Sequence, residues 1–191
     1  MEKIKLLKFI TGNKNKALEV EQIIQKILPE VKVEQLKVDD IPEPQGEPEH
    51  IVKEKLKYAR SIHKDGVILC EDTSLCFEGL NGLPGPYIKD FLTKLGTDGL
   101  YKLAKGTGNT KAYAQCIFGM SLGEGKDDKY FVGRCHGNIV EPKGDTSFGW
   151  DPVFLPDGYD QRYSELPKDI KNSISHRYKS LEALINYLKE N

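Results

Sequence analysis

The sequence predicts a single α/β domain, residues 1–191, built on a mixed central sheet flanked by helices, and three observations predict it. Apolar runs of strand length alternate with runs at helical spacing. Two strand-like stretches, 110–122 and 128–140, are joined by the polar turn GEGKDD, which reads as an antiparallel hairpin added to that sheet. Finally, 191 residues with no internal repeat, low-complexity tract or linker suit one unit that can bury a core.

In chain order, IKLLKFIT (4–11) is a strand: the N-terminus is basic, but Lys5 and Lys8 interrupt its apolar run, so it does not read as a signal peptide. Ala17, Leu18, Val20, Ile23, Ile24, Ile27 and Leu28 then recur at helical spacing until Pro29 stops them. VKVEQLKV (31–38) alternates as a strand, and the prolines of IPEPQGEP (41–48) exclude both periods. Ile51, Val52, Leu56, Ala59 and Ile62 mark a second helix, and GVILCED (66–72) is a short buried strand ending in two carboxylates. After the turn-rich NGLPGPYI (81–88) come two short helices near 88–95 and 97–104, then the hairpin. SFGWDPVFLPDGYDQRYSELP (147–167) runs through turn signals without one periodicity, and Ser175–Leu188 forms a last amphipathic helix.

Charge narrows the function. Twenty-eight basic and 29 acidic residues leave a net charge of −1, which argues against a general nucleic-acid binder. An anionic partner must instead meet a local cluster of cations. Cys70, Cys76, Cys116 and Cys135 show no Cys-x-x-Cys pair and no metal-like spacing, so they read as small buried residues of a reducing compartment. No stretch reaches membrane-spanning length. The expectation is a cytoplasmic protein without membrane or nucleic-acid partners.

Three places gather chemistry. TGNKNK (11–16) is a polar turn between strand and helix, where unpaired backbone N–H groups and the helix dipole favour phosphate; a capped helix start with solvated lysines is the plainer reading. Glu71 and Asp72, at the carboxyl end of their strand, would face the crevice where open α/β sheets bind ligands, and with Glu43 they offer hard oxygen donors. NSISHRYKSL (172–181) puts Ser173 or Ser175 at a helix start and His176 and Arg177 in its first turn, where an arginine opposes the dipole and so suggests another task.

Together these stretches carry a resemblance. Thr11-Gly12-Asn13-x-x-Lys16-x-x-Glu19, EDTSLCFEGLNGLPGPYIKDF (71–91), FGWDPVF (148–154) and SHR (175–177) occur in order, and the sequence resembles the inosine triphosphate pyrophosphatase family over nearly its whole length. The resemblance implies an elongated fold with two lobes around a deep nucleotide-binding cleft, and a homodimer. It implies a Mg²⁺-dependent hydrolase, with Mn²⁺ as a substitute, that cuts ITP, dITP and XTP to the monophosphate and pyrophosphate.

By motif, Thr11, Gly12, Asn13, Lys14, Asn15 and Lys16 correspond to the triphosphate cradle, with Lys55, Thr73 and Lys89 as further contacts. Glu43 and Asp72 correspond to the metal ligands, and Asp72 also to the general base. Phe148, Gly149, Trp150 and Asp151 correspond to the nucleobase pocket, with Lys171, His176 and Arg177. Physically, Phe148 would give a base its stacking face, worth roughly 1–3 kcal/mol without reading identity, while Trp150 reads equally well as support for the loop. His176 and Arg177 would donate to the C6 carbonyl of hypoxanthine or xanthine and meet the amino group of adenine donor to donor. Guanine shares that carbonyl, so its exclusion falls to the FGWD loop, where Asp151 would brace donors. Tyr87, Ile88, Phe91 and Leu92 form a possible apolar patch for the dimer.

Three other readings fit less well. A pyrophosphatase for modified pyrimidine or methylated nucleotides conflicts with SHR and FGWD. A nucleotide-binding module without catalysis has no evident use for both Glu43 and Asp72. An RNA-binding domain lacks an aromatic-plus-basic strand.

Overall fold

A computed structural model describes residues 4–38, 41–144 and 149–191. Its elements follow in chain order. Strand β1 (Leu6–Ile10) leads into helix α1 (Lys14–Ile27), which is capped by Asn13 and buries Ala17, Val20, Ile23 and Ile24 before Pro29. Strand β2 (Lys32–Leu36) and helix α2 (Pro48–Ile62) follow, with Pro48 in the first turn, where its missing N–H costs nothing. Strand β3 (Val67–Phe77), the two-residue β4 (Pro84–Gly85) and helix α3 (Ile88–Gly106) come next. The two short helices expected in that region are one run bent at Gly96, whose φ of 65° and ψ of 180° suit glycine. Strands β5 (Lys111–Ser121) and β6 (Lys129–Ile139) stand where the two long strands were expected. The chain ends with β7 (Phe154–Pro156), α4 (Lys168–Ile174) and α5 (His176–Glu190).

The sheet runs β2-β1-β3-β5-β6-β7, with β4 added to β3. Parallel pairs, β1 with β2 and with β3, coexist with antiparallel ones, β3 with β4 and β6 with β7, so the sheet is mixed as expected.

Two compact units divide the chain. One comprises Met1–Asp72, Cys116–Gly133 and Arg177–Asn191; the other comprises Thr73–Gln115 and Arg134–His176. The first packs Leu7, Phe9, Val20, Ile24, Phe118 and Leu184 into its core. The second packs Leu75, Phe77, Leu100, Val153, Phe154 and Tyr163. All four cysteines are buried outside any disulfide, and burial pushes the Cys70 thiol up to about 12, which keeps it unreactive. Among the described residues, no helix is long and apolar enough to cross a membrane.

Several expectations need correction. Strand β3 does not end at its carboxylates but runs through them to a length of 11 residues, because residues 74–77 are buried again and Leu75 and Cys76 find β4 as a partner. The stretch 147–167 is not wholly loop: a 3₁₀ turn at Asp151–Val153 feeds β7, which pairs β6. Helix α4 was not foreseen, since KDIKNSI has too few apolar residues to show a period. The apolar patch of 87–92 turns inward: Ile88 is buried, and Phe91 and Leu92 pack against the second core. Leu83 and Leu95 are the exposed apolar side chains of that neighbourhood.

Candidate active site

In the first unit the chemistry begins at the turn after β1. Asn13 Oδ1 accepts from the amides of Asn15 (3.0 Å) and Lys16 (3.2 Å), and Thr11 Oγ1 accepts from the amide of Asn13 (3.1 Å). The turn therefore satisfies much of its own backbone, and the row of unpaired amides expected for phosphate is only partly available. Gly12, Asn13, Lys14 and Asn15 are exposed, while Thr11 and Lys16 are half-buried.

Lys16 extends from the first turn of α1 and donates to Glu71 Oε1 at 3.0 Å. Glu71 lies on β3 with its side chain only 2 % exposed, and Arg177 grips it from the start of α5. Arg177 Nε donates to Glu71 Oε2 at 3.1 Å and Nη2 to Oε1 at 3.2 Å, while Nη1 donates to Glu19 Oε2 at 2.7 Å. Burial opposes the charge on Arg177, but the Glu71 and Glu19 carboxylates outweigh it and hold the guanidinium firmly protonated. Every nitrogen of this side chain is thus engaged with a carboxylate.

Asp72, the next residue on β3, pairs with Lys55 of α2 at 2.8 Å, and the exposed Glu43 carboxylate lies 3.6 Å from the same ammonium. Burial is the largest influence on both partners. It raises the Asp72 carboxyl above its ordinary value against the pull of Lys55, and it opposes the charge on Lys55, which Asp72 and Glu43 more than restore. Asp72 Oδ2 is buried and receives no hydrogen bond from the described residues.

The second unit holds a different set. Gly149 has φ 57°, a backbone that most side chains avoid, and turns the chain into Trp150. The half-buried Trp150 lies with its ring 5.5 Å from His176 and edge-on to Phe154 at 5.7 Å, so it does support this loop. Tyr163 lies nearly parallel to His176 at 6.1 Å and 14°, and 6.2 Å from Trp150, so the three rings form a triangular cluster. Buried Asp151 accepts a short hydrogen bond from Lys171, whose ammonium also lies 5.4 Å from the Tyr163 ring. Thr73 is half-buried on β3, and Lys89 is exposed in the first turn of α3. Phe148 lies outside the described residues. Ser173 stays within α4, donating to Ile170 O at 2.7 Å, and Ser175 closes that helix.

The expected residues therefore fall into a group around Lys16, Lys55, Asp72 and Arg177, and a group around Trp150, Asp151, Lys171 and His176. Residue-by-residue reading offered Glu71 as a hard oxygen donor beside Asp72, did not foresee its grip by Arg177, and assigned no role to Tyr163. Glu19 was legible in part, because it shares a face of α1 with Lys16 three residues earlier.

Comparison with known proteins settles the kinship: the family model of the Ham1 family matches residues 7–187. The chain belongs to the Ham1 family. This is the inosine triphosphate pyrophosphatase family that its motifs resemble. Its fold is similar to a HAM1 protein of Coxiella burnetii, at TM-score 0.85 and 23% identity over 98% of this chain and 100% of that one. The Staphylococcus aureus Ham1 protein matches at TM-score 0.75 and 24% identity, over 97% and 99% of the two chains. A third structure, described as a nucleoside-triphosphatase / dITP/XTP pyrophosphatase of Mycobacterium abscessus, matches at 0.71 and 22%, over 94% and 98%.

Proposed function

We propose that this Ham1-family chain is a hydrolase that cuts ITP, dITP and XTP between the α and β phosphates, releasing the monophosphate and pyrophosphate and so cleansing the nucleotide pool. The observation that carries the reading is the buried Lys55–Asp72 pair, which leaves one carboxylate oxygen of Asp72 without a hydrogen bond from the described residues. The name of the Mycobacterium abscessus relative supports the substrate class.

In this mechanism Asp72 takes a proton from water as the water oxygen bonds to phosphorus and the bridging P–O bond breaks. A carboxylate raised by burial is a stronger base for that task than a solvated one. Lys16 and Lys55, with Lys14 and Lys89, offset the charge of the triphosphate, and the family motifs assign Thr11–Lys16 and Thr73 to it as further contacts. Phe148, Gly149, Trp150 and Asp151 take the base with Lys171, His176 and Arg177. Packing in one cluster with Trp150 and Tyr163 limits the His176 ring, which in this reading donates to a purine carbonyl, and the Lys171–Asp151 pair braces the loop.

Mg²⁺ belongs to the proposal, with Mn²⁺ as a substitute. Asp72 and Glu43 fit it: both are hard oxygen donors drawn to one ammonium, and Asp72 Oδ2 is a buried acceptor without a hydrogen bond from the described residues. No cluster of three metal-binding side chains occurs among the described residues, which suits a cation that takes its other ligands from water and phosphate. When bound, it polarises a phosphoryl oxygen.

Pyrophosphate release measured across ITP, XTP, GTP and ATP tests the function. ITP and XTP should turn over, GTP and ATP should be spared, and excess EDTA should stop the reaction until Mg²⁺ is returned. Binding of ITP without pyrophosphate release would make the protein a nucleotide-binding module instead, and full activity in EDTA would remove the metal.

We also propose a homodimer, supported by the family resemblance. Sedimentation equilibrium should give twice the chain mass, and a concentration-independent monomer would refute it.

A further inference from the structure

Glu71 has no part in the reaction as set out above, yet it is the most enclosed carboxylate of the first unit's charged group. Its side chain is 2 % exposed, against 11 % for Asp72 and 12 % for Glu19. Three donors converge on it: Arg177 Nε and Nη2 from α5 and Lys16 Nζ from α1. The two-pronged grip of a guanidinium fixes the plane of a carboxylate, which a single ammonium does not do. Glu19, one helical turn after Lys16, holds the remaining guanidinium nitrogen, so Arg177 is itself fixed from two sides.

A lysine on an exposed turn would otherwise sweep a wide volume, with about 2 kcal/mol of rotamer entropy to lose on each binding event. Here Oε1 of an immobilised carboxylate gives its ammonium a defined place to rest. A carboxylate close to a phosphate contact also repels the substrate, so charge complementarity does not explain its presence, whereas geometry does.

We propose that Glu71 is a positioning residue: held rigid by Arg177 and Glu19, it presets Lys16 for the triphosphate. The inference rests on the function proposed above, because it takes Lys16 as a phosphate contact. Glu71 acts through Lys16 and touches no reacting atom.

The test is a double-mutant cycle of Glu71→Gln and Lys16→Ala, read in steady-state ITP hydrolysis and in calorimetric binding of inorganic tripolyphosphate. Glu71→Gln keeps the shape and removes the charge that holds the ammonium. In the wild-type background it should lower kcat by about tenfold or more, the scale of a mispositioned contact, while KM does not rise, since a repelling charge has been removed. In the Lys16→Ala background the same change should alter kcat less than about twofold. A purely structural role would instead give equal losses in both backgrounds, and that additivity would overturn the proposal.

Arg177 depends on Glu71, so Glu71→Asp serves if the glutamine variant does not fold. It retains the charge and withdraws the carboxylate by one methylene, and it should show the same background-dependent loss. If the wild type hydrolyses no nucleotide, the proposed function fails and the tripolyphosphate cycle still decides: coupling between the two sites upholds the positioning role, and its absence refutes it.

Discussion

Asp72→Asn should lower kcat for ITP by about 10²–10⁴-fold, the usual contribution of a general base, with a smaller change in KM. The substitution keeps the size of the side chain and removes both its charge and its basicity. Oδ1 accepts from Lys55 at 2.8 Å, and Oδ2 is buried without a hydrogen bond from the described residues. One oxygen is thus held in place while the other has capacity to accept a proton. Burial raises this carboxyl, so its ionised form is more basic than that of a solvated aspartate. The amide of asparagine accepts no proton, and it can turn its NH₂ toward Lys55 only donor to donor. Glu71 is a poor substitute, because both of its oxygens already accept from Arg177 and Oε1 also from Lys16. Single-turnover and steady-state rates on ITP, with thermal denaturation to confirm the fold, decide the matter. A variant with near-normal kcat places the base elsewhere.

The ease of reading each feature from the sequence follows the physics of that feature. Strand β6 and helices α1, α2 and α5 carry strong periodicities, because each buries one face against a core, while β1 and the almost wholly buried β5 show as apolar runs, and all were legible. The true length of β3 was not. Two consecutive carboxylates look like the end of an apolar run unless their partners, Lys16, Lys55 and Arg177, are known to come from elsewhere in the chain. Helix α4 carries too little apolar residue content to show a period, and the inward turn of Ile88, Phe91 and Leu92 depends on where α3 bends. The site shows the same division. Residue types and motif order pointed to Lys16, Lys55, Asp72, Trp150 and His176. The Arg177–Glu71 grip joins positions 106 apart in the chain, and no local pattern signals a contact at that separation.

Arg177→Ala should destabilise the protein by about 3–5 kcal/mol, the usual cost of removing one partner from a buried ion pair, and lower the melting temperature by roughly 6–20 °C for a chain of this size. Arg177 is 4 % exposed and hydrogen-bonds Glu71 and Glu19 through all three guanidinium nitrogens. Without it, Glu71 loses two hydrogen bonds from a guanidinium, and Glu19 loses the one at 2.7 Å. An alanine also leaves a void where the side chain lay. Arg177→Lys should cost less, since it restores a charge without the planar fork. Scanning calorimetry at neutral pH tests both variants, and a fall of under about 3 °C for Arg177→Ala would show that the clamp contributes little. The same variants test the base reading expected from the sequence. Assayed well below its melting temperature, Arg177→Lys should weaken ITP use and erode the preference for ITP over ATP if a guanidinium N–H meets the C6 carbonyl, with the preference over GTP intact because guanine shares that carbonyl. If the ITP/ATP ratio is unchanged while stability falls, Arg177 is a clamp alone, and reading of the C6 position passes to His176, packed in one cluster with Trp150 and Tyr163.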